Sequence, residues 1–207
     1  MRATPPLKFV LVLISFAACS RYKVDPLPAG SVVLVLGDSI SAGYGLDSGQ
    51  SWPALLAVRT GWRVINGGIS GDTTAQGRAR LPALLNAYRP AAVIIELGGN
   101  DMLRRLPRAQ TVANLEAIIA DVKAARAQPI LMAVPTPSIV GAAFSSLSDA
   151  GFYAELAERN RVPLLSDVIA NVLSDSKNKL DHLHPNAEGS RRLAERAEQE
   201  LREVGFL

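Results

Sequence analysis

The chain has 207 residues, 48% hydrophobic and 20% charged, a balance that is ordinary for a globular protein and argues against disorder. Because domains commonly hold about 100–200 residues, we expect one domain, or at most two small ones. The formal charge of +3 is too small to indicate a nucleic-acid partner, which usually needs clustered basic residues. A single cysteine, Cys19, excludes an intramolecular disulfide and a cysteine-based metal cluster.

The first 18 residues have the pattern of an export signal. Arg2 and Lys8 form a short basic region, and residues 9–18 are apolar except for Ser15. This stretch is too short to span a bilayer core, which needs about 20 residues, but it is typical of the hydrophobic part of a secretory signal peptide. A hydrophobic N-terminal strand or helix is the alternative interpretation.

The small residues directly before Cys19 resemble the lipobox of bacterial lipoproteins, in which the cysteine becomes the lipidated first residue of the mature chain. Phe16 departs from that motif, which usually has Leu, Val or Ile there. We therefore expect a signal peptide over residues 1–18, a lipid-anchor Cys19 with a tether to residue 30, and an exported domain over residues 31–207. Ser20 favours a periplasmic location on the outer membrane. Ordinary cleavage at the alanines, which leaves an unanchored exported protein, is the alternative.

After residue 30, apolar runs typical of buried strands alternate with helical patterns. The β-branched run 32–36 predicts the first buried strand, and similar runs follow at roughly the spacing of a βαβ unit. Pro82 is expected to kink or interrupt the second helix. The alternation predicts an α/β fold whose parallel sheet is covered by helices on both faces. The further predicted strands span residues 63–65, 92–97, 130–134 and 163–165, and the helices span 52–59, 75–88, 110–127, 147–159, 167–173 and 186–204.

Ligand sites in such sheets gather at the carboxyl ends of the strands, where three loops hold candidate residues. The first strand is followed by Ser39, which is well placed for nucleophilic attack and whose amide could bind an oxyanion. The second is followed by Gly71, which would let a substrate approach a backbone N–H. The third is followed by Asn100, whose side-chain amide is a further candidate donor. Each loop taken alone is more typical of an ordinary turn, and the second lacks the lysine of a phosphate-binding loop.

A fourth block near the C terminus contains Asp181 and His184, three residues apart. The carboxylate could orient the imidazole, which could then act as a general base toward Ser39. The only other histidine is His182, which we expect to be a solvated neighbour. A metal site formed by Asp181, His182 and His184 is the alternative, although it would leave Ser39 unexplained.

Together these blocks make the chain resemble the SGNH (GDSL) hydrolase family over roughly residues 31–204. The four residues that name the family match Ser39, Gly71, Asn100 and His184, in the family's order. The likeness is greatest to the bacterial periplasmic arylesterase, thioesterase and lysophospholipase group. The resemblance implies a flavodoxin-like three-layer α/β/α sandwich with a parallel sheet of about five strands. It also implies that no metal or cofactor is needed.

The resemblance further implies an acyl-enzyme mechanism on short- to medium-chain esters or thioesters. Ser39 would attack the carbonyl, His184 would take its proton, and Asp181 would stabilise the imidazolium. The amides of Ser39 and Gly71 and the side chain of Asn100 would form the oxyanion hole. Two alternatives remain open: an O-acetyl esterase acting on cell-envelope glycans, and a non-catalytic lipoprotein that binds acyl chains.

Other residues around these loops receive supporting roles. Asp38 and Asp101 are expected to brace their loops rather than react. The apolar segment 134–144 is hypothesised to form the wall of a shallow acyl pocket. A trio of arginines shortly after Asn100 could meet an anionic head group, although a solvated charged face is the favoured interpretation because exposed arginine is common: Arg104, Arg105 and Arg108.

Overall fold

A computed structural model describes residues 24–137 and 146–207. The expectations for the signal peptide and for Cys19 lie outside the described residues. The part of the expected acyl-pocket wall that covers residues 138–144 lies outside them as well.

The centre of the fold is a five-stranded sheet with the strand order β2-β1-β3-β4-β5. All four neighbouring pairs are parallel. This is the flavodoxin-like order, and it confirms the predicted α/β class and strand number. The strand order reverses between β1 and β3, which makes the carboxyl ends of these two strands the expected place for a ligand site. The strands are β1 Val32–Gly37, β2 Arg63–Asn66, β3 Ala92–Glu96, β4 Gln128–Met132 and β5 Leu164–Leu165.

Helices cover both faces of the sheet, which explains why β1 and β3 consist almost entirely of buried residues. Helix α3 packs on α5 and α5 on α6 at one face, whereas α8 packs on α2 and α7 at the other. In the described ranges the helices are α1 Ser39–Ala42, α2 Trp52–Thr60, α3 Thr74–Tyr88, α4 Gly99–Leu103, α5 Arg108–Ala124, α6 Phe152–Asn160, α7 Val168–Ser174 and α8 Ala187–Val204, with a 3-10 turn over Ser176–Asn178.

Two helix predictions need correction. Of the kink or interruption expected at Pro82, the interruption does not occur, because α3 runs without a break through that residue. Proline removes only one backbone hydrogen bond, and α3 is held by a capping box at its start and by the burial of Leu81. The helix expected from residue 147 begins instead at Phe152. The residues before it pair with the segment after β4, where the Ala150 amide donates to the Val134 carbonyl at 3.1 Å.

The described part of the expected tether packs on the domain. The Leu27 amide donates to the Phe206 carbonyl at 2.9 Å, and the Trp62 indole donates to the Leu27 carbonyl at 3.1 Å. Asp25 exchanges two hydrogen bonds with Gln128, the first residue of β4. This segment therefore crosses the amino edge of the sheet, opposite the carboxyl ends of the strands. None of the helices in the described ranges combines the length and apolar character needed to cross a membrane.

Candidate active site

Ser39 is the first residue of α1, directly beyond the carboxyl end of β1. Asp38 is the N-cap of this short helix, and its Oδ1 accepts a hydrogen bond from the Ile40 amide at 3.0 Å. Only a glycine fits before Asp38, because a Cβ on Gly37 would overlap the side chain of Ser41. The chain therefore turns sharply at the end of the buried strand and leaves the Ser39 hydroxyl partly exposed.

His184 links Ser39 to Asp181. Its Nε2 lies 3.0 Å from Ser39 Oγ, and its Nδ1 lies 2.8 Å from Asp181 Oδ2. The tautomer with the proton on Nδ1 satisfies both contacts, since Nδ1 then donates to Asp181 and Nε2 accepts from the serine hydroxyl. The ring of Tyr44 lies against the imidazole, with 4.5 Å between the ring centroids. The predicted trio is thus brought together from positions 145 residues apart.

Asp181 is held as an acceptor by its own loop. Its Oδ1 accepts from the amides of Leu183 and His184 at 2.7 and 2.8 Å. Partial burial acts to raise the pKa of Asp181, but the hydrogen bonds from His184 and Leu183 outweigh it and hold the pKa below its usual value. The helix that follows this loop, α8, is capped by Asn186, whose side chain accepts from the Gly189 amide.

Gly71 and Asn100 bring the other two loops to the site. Gly71 adopts a left-handed backbone conformation, with φ of +84°, which favours glycine. Asn100 lies in α4, and its Nδ2 donates to Asp38 Oδ2 and to the Asp72 carbonyl, both at 3.0 Å. In the described part of the chain, the amide N–H groups of Ser39 and Gly71 donate to no protein acceptor. These two groups are therefore available to a ligand, whereas both Asn100 hydrogens are engaged.

A family model described as the GDSL-like lipase/acylhydrolase family matches residues 35–192. The chain belongs to this family. It is 42% identical over 181 residues to a protein of Escherichia coli K12 named thioesterase 1/protease 1/lysophospholipase L1, with 85% of this chain and 81% of that protein covered. It is 40% identical over 179 residues to an arylesterase of Vibrio mimicus, with 84% and 89% of the two chains covered.

Solved structures agree with this assignment. The crystal structure of TesA matches with a TM-score of 0.74 and 38% identity, over 84% of this chain and 99% of that one. The psychrotrophic esterase EstA from Pseudoalteromonas, inhibited by monoethylphosphonate, also matches with a TM-score of 0.74, at 31% identity over 84% and 97% of the two chains. The family and these relatives make the chain a carboxylic ester hydrolase.

Asp101 braces the loops of this GDSL-like hydrolase, as predicted. It is 1% exposed and accepts from the Thr74 amide at 2.8 Å, from the Thr74 hydroxyl at 2.5 Å and from the Thr111 hydroxyl at 3.3 Å. These bonds tie α4, which holds Asn100, to the start of α3 and to α5. A buried carboxylate with three donors is satisfied without reacting.

Arg80 is a second brace, which sequence reasoning missed. Its Nε lies 2.7 Å from Asp72 Oδ2, and its Nη2 donates to the Gly37 carbonyl at 3.0 Å. Arg80 thus ties the loop that holds Gly71 to the end of β1. Because the exposed faces of helices commonly contain arginine, its place in the sequence gave no signal of this contact.

Glu96 is the other residue that sequence reasoning missed, although it is the one charged residue in an apolar run. It is 0% exposed. It pairs with Gly37 in the register of β1 and β3, and so lies next to Asp38, which is 3% exposed. Glu96 Oε2 accepts from the Ser41 hydroxyl at 2.6 Å and lies 3.5 Å from the Asp38 amide. Burial raises the pKa of Asp38 to about 6. Burial and the nearby Asp38 raise the pKa of Glu96 well above its usual range.

The arginines after Asn100 occupy different surroundings. Arg104 Nη2 donates to the Gly71 carbonyl at 2.7 Å, so this side chain lies at the site. Arg108 instead forms an exposed ion pair with Glu155 at 3.0 Å. Arg105 adopts a left-handed backbone conformation, with φ of +54°.

The metal interpretation finds no ligand cluster in the described residues. Within them, no three His, Cys, Asp or Glu side chains are grouped so that they could hold a metal ion. His182 is exposed at the surface, whereas His184 turns toward Ser39.

Proposed function

We propose that this hydrolase cleaves short- to medium-chain acyl esters and thioesters through an acyl-enzyme formed on Ser39. The observation that carries the proposal is the continuous path from Ser39 Oγ to His184 Nε2, 3.0 Å, and from His184 Nδ1 to Asp181 Oδ2, 2.8 Å. These distances match a nucleophile within reach of its base and a base oriented by a carboxylate.

In the first half of the reaction, Ser39 Oγ attacks the acyl carbonyl while His184 Nε2 takes its proton. The imidazolium that forms donates through Nδ1 to Asp181, whose lowered pKa keeps it ionised for this role. His184 then gives its proton to the departing alcohol or thiol. In the second half, water attacks the acyl group by the same route and releases the acid.

The negative charge that develops on the carbonyl oxygen needs donors fixed in advance. The free amides of Ser39 and Gly71 supply two, and Asn100 Nδ2 supplies a third by exchanging one of its internal acceptors for the substrate oxygen. Removal of one such donor typically lowers kcat by about 10²–10³-fold.

A cleft lined by a chain neighbour of Asn100 is a candidate place for the acyl group. A cleft of about 250 Å³ has a described lining that includes Met102, Leu106, Thr136 and Phe152. Met102 is two residues from Asn100, and Thr136 belongs to the described part of the segment predicted to wall the pocket. The names of the relatives support both esters and thioesters as substrates.

The test compares Ser39→Ala with Ser48→Ala, a matched change at an exposed serine of the same loop region. We expect Ser39→Ala to lose on the order of 10⁴-fold or more in kcat, and Ser48→Ala to retain activity. Hydrolysis is measured with p-nitrophenyl esters of increasing chain length, an acyl-CoA, a lysophospholipid and an acetylated sugar. A fluorophosphonate probe should label the parent chain and not the Ser39→Ala variant.

Each contrary outcome selects a different alternative. Faster turnover of the acetylated sugar than of every acyl ester would favour the glycan esterase. Absence of both turnover and labelling in the parent chain would favour the acyl-binding lipoprotein. Substantial activity of Ser39→Ala would contradict the proposed nucleophile.

We also propose that the hydrolase is exported and anchored through a lipid on Cys19, which the sequence pattern of residues 1–19 supports. Residues 24–30, which follow the proposed anchor in the chain, pack along the amino edge of the sheet, opposite the edge that holds Ser39. Cys19→Ala should lose incorporation of radiolabelled palmitate and leave the membrane fraction. Unchanged membrane attachment of the variant would contradict the anchor.

A further inference from the structure

Two carboxyl groups lie buried beneath Ser39, and the mechanism above uses neither. Asp38 directly follows β1 and Glu96 ends β3, and these two strands are neighbours in the sheet. In the described part of the chain, neither group takes part in an ion pair. An isolated buried carboxylate is strongly disfavoured, and two of them close together cannot both remain ionised.

The hydrogen bonds decide which of the two is charged. Asp38 uses both oxygens as acceptors, Oδ1 from the Ile40 amide and Oδ2 from Asn100 Nδ2. Glu96 uses Oε2 alone, and its buried Oε1 has no partner. Since a bare oxygen is far less costly on a neutral acid than on a carboxylate, the proton belongs to Glu96 and the charge to Asp38. The proton then lies on Oε2, with Ser41 Oγ at 2.6 Å as its acceptor, because a hydroxyl can accept as well as donate.

This charge acts on the two Asn100 hydrogens unequally. A hydrogen bond to a carboxylate is roughly twice as strong as one to a neutral carbonyl. The bond from Asn100 Nδ2 to Asp38 therefore persists, whereas the bond to the Asp72 carbonyl is the one that a substrate oxygen can replace. The Asp38 carboxylate thereby fixes the amide while leaving its second hydrogen for the reaction.

We propose that Asp38 is a positioning residue for the oxyanion donor Asn100, and that the neutral Glu96 below it confines the single buried negative charge to Asp38. The inference rests on the proposed function, because it takes Asn100 as an oxyanion donor. Asp38 acts through Asn100 and need not touch the substrate.

Several other ionisable groups surround this pair. His184 favours the ionised form of Asp38, and Asp72 opposes it. Arg80 bonds to the carbonyl of the preceding residue, Gly37, and is neutralised by its own pair with Asp72. On α6, Tyr153 is fully buried, and its hydroxyl donates to the Leu97 carbonyl at 2.7 Å. Asp101 and Asp149 lie within electrostatic range of that hydroxyl.

The first test is a double-mutant cycle with Asp38→Asn and Asn100→Ala. Asparagine at position 38 can still accept from the Ile40 amide, but its NH₂ would face the NH₂ of Asn100, so the bond between them is lost. We expect Asp38→Asn alone to lower kcat by roughly 10–100-fold with little change in KM, less than the loss of an oxyanion donor. In the Asn100→Ala background the same change should lower kcat by less than about 3-fold, because the group it positions is absent.

The second test is the acid limb of log kcat/KM against pH. The parent chain should fall with a slope that approaches two over about one to two pH units below the Asp38 pKa of about 6, since full activity needs His184 free of a proton and Asp38 ionised. At lower pH the slope should return to one, because enzyme with protonated Asp38 keeps the reduced activity expected for Asp38→Asn. Asp38→Asn should fall with a slope of one throughout. Glu96→Gln replaces a neutral acid with a neutral amide and should keep the steeper segment of the parent chain.

The outcomes separate this inference from the proposed function. Equal losses from Asp38→Asn in both backgrounds, a slope of one throughout the acid limb of the parent chain, or a slope of one throughout in Glu96→Gln would each overturn the role of Asp38. Thermal unfolding of every variant at the assay pH identifies any that fail to fold, and kcat is compared among the folded ones. An active Ser39→Ala would instead overturn the proposed function itself.

Discussion

Two aspartates flank the candidate nucleophile in opposite surroundings. Asp181 has a side chain 44% exposed, accepts three hydrogen bonds and has a lowered pKa. Asp38 is 3% exposed and has a pKa raised to about 6 by burial. The same side chain is thus given two roles by its environment. The solvent-exposed Asp181 stays ionised and can stabilise an imidazolium, whereas the charge of the buried Asp38 depends on pH.

The difference in role is tested most strongly by removing the charge of Asp181. Asp181→Asn places an amide against His184 Nδ1, which favours the wrong tautomer of the base. We expect kcat to fall on the order of 10³–10⁴-fold, well beyond the loss expected for Asp38→Asn. Steady-state hydrolysis of p-nitrophenyl butyrate measures it, and Asp47→Asn at an exposed position is the matched control. Losses in kcat of equal size for Asp38→Asn and Asp181→Asn would contradict the different roles of the two aspartates.

The difference in burial is tested by stability against pH. Because folding raises the pKa of Asp38 above its ordinary value of 3.8 to about 6, the folded state binds the proton more tightly in that window. The associated stability is present at low pH and is lost as pH rises from about 4 to about 6, by on the order of 3 kcal/mol. Asp38→Asn should therefore remove this part of the decline.

Urea unfolding at pH 4 and pH 7.5 measures that decline for the parent chain and for each variant. Glu96→Gln should also flatten it, because the Glu96 pKa is raised in the same direction by burial. Asp181→Asn should not flatten it, since the lowered pKa of Asp181 makes its own contribution one that is lost as pH falls. Parallel declines in the parent chain and in both Asp38→Asn and Glu96→Gln would contradict the assignment of the buried pair.

The smallest effect is expected from the ring that supports His184. The Tyr44 ring packs against the imidazole in a tilted arrangement and is itself 52% exposed. Aromatic pairs of this kind contribute about 0.5–1.5 kcal/mol, so Tyr44→Ala should lower kcat/KM by roughly 2–10-fold. Tyr44→Phe keeps the ring and should behave like the parent chain. A large loss in Tyr44→Phe would show that the hydroxyl, rather than the ring, is the important group.

Much of the fold could be predicted because its signals are local. The run 32–36 is apolar on every position, and a strand covered on both faces by helices requires this. The start of α6 at Phe152 was missed because the hydrogen bonds that make residues 148–150 extended come from residues 134–136, on a separate segment. Helix α3 passes through Pro82 because packing outweighs the loss of one hydrogen bond, which a local rule does not include.

The sequence by itself determined the residue types of the site, their order along the chain and the alternation of strands and helices. Only the tertiary structure decided which of these residues touch. The strand order puts β1 beside β3, so Asp38 meets Glu96, 58 residues away, and Asn100, 62 residues away. Burial, hydrogen bonding and charge at such contacts depend on neighbours distant in sequence, and these neighbours set the protonation of Asp38 and the orientation of Asn100.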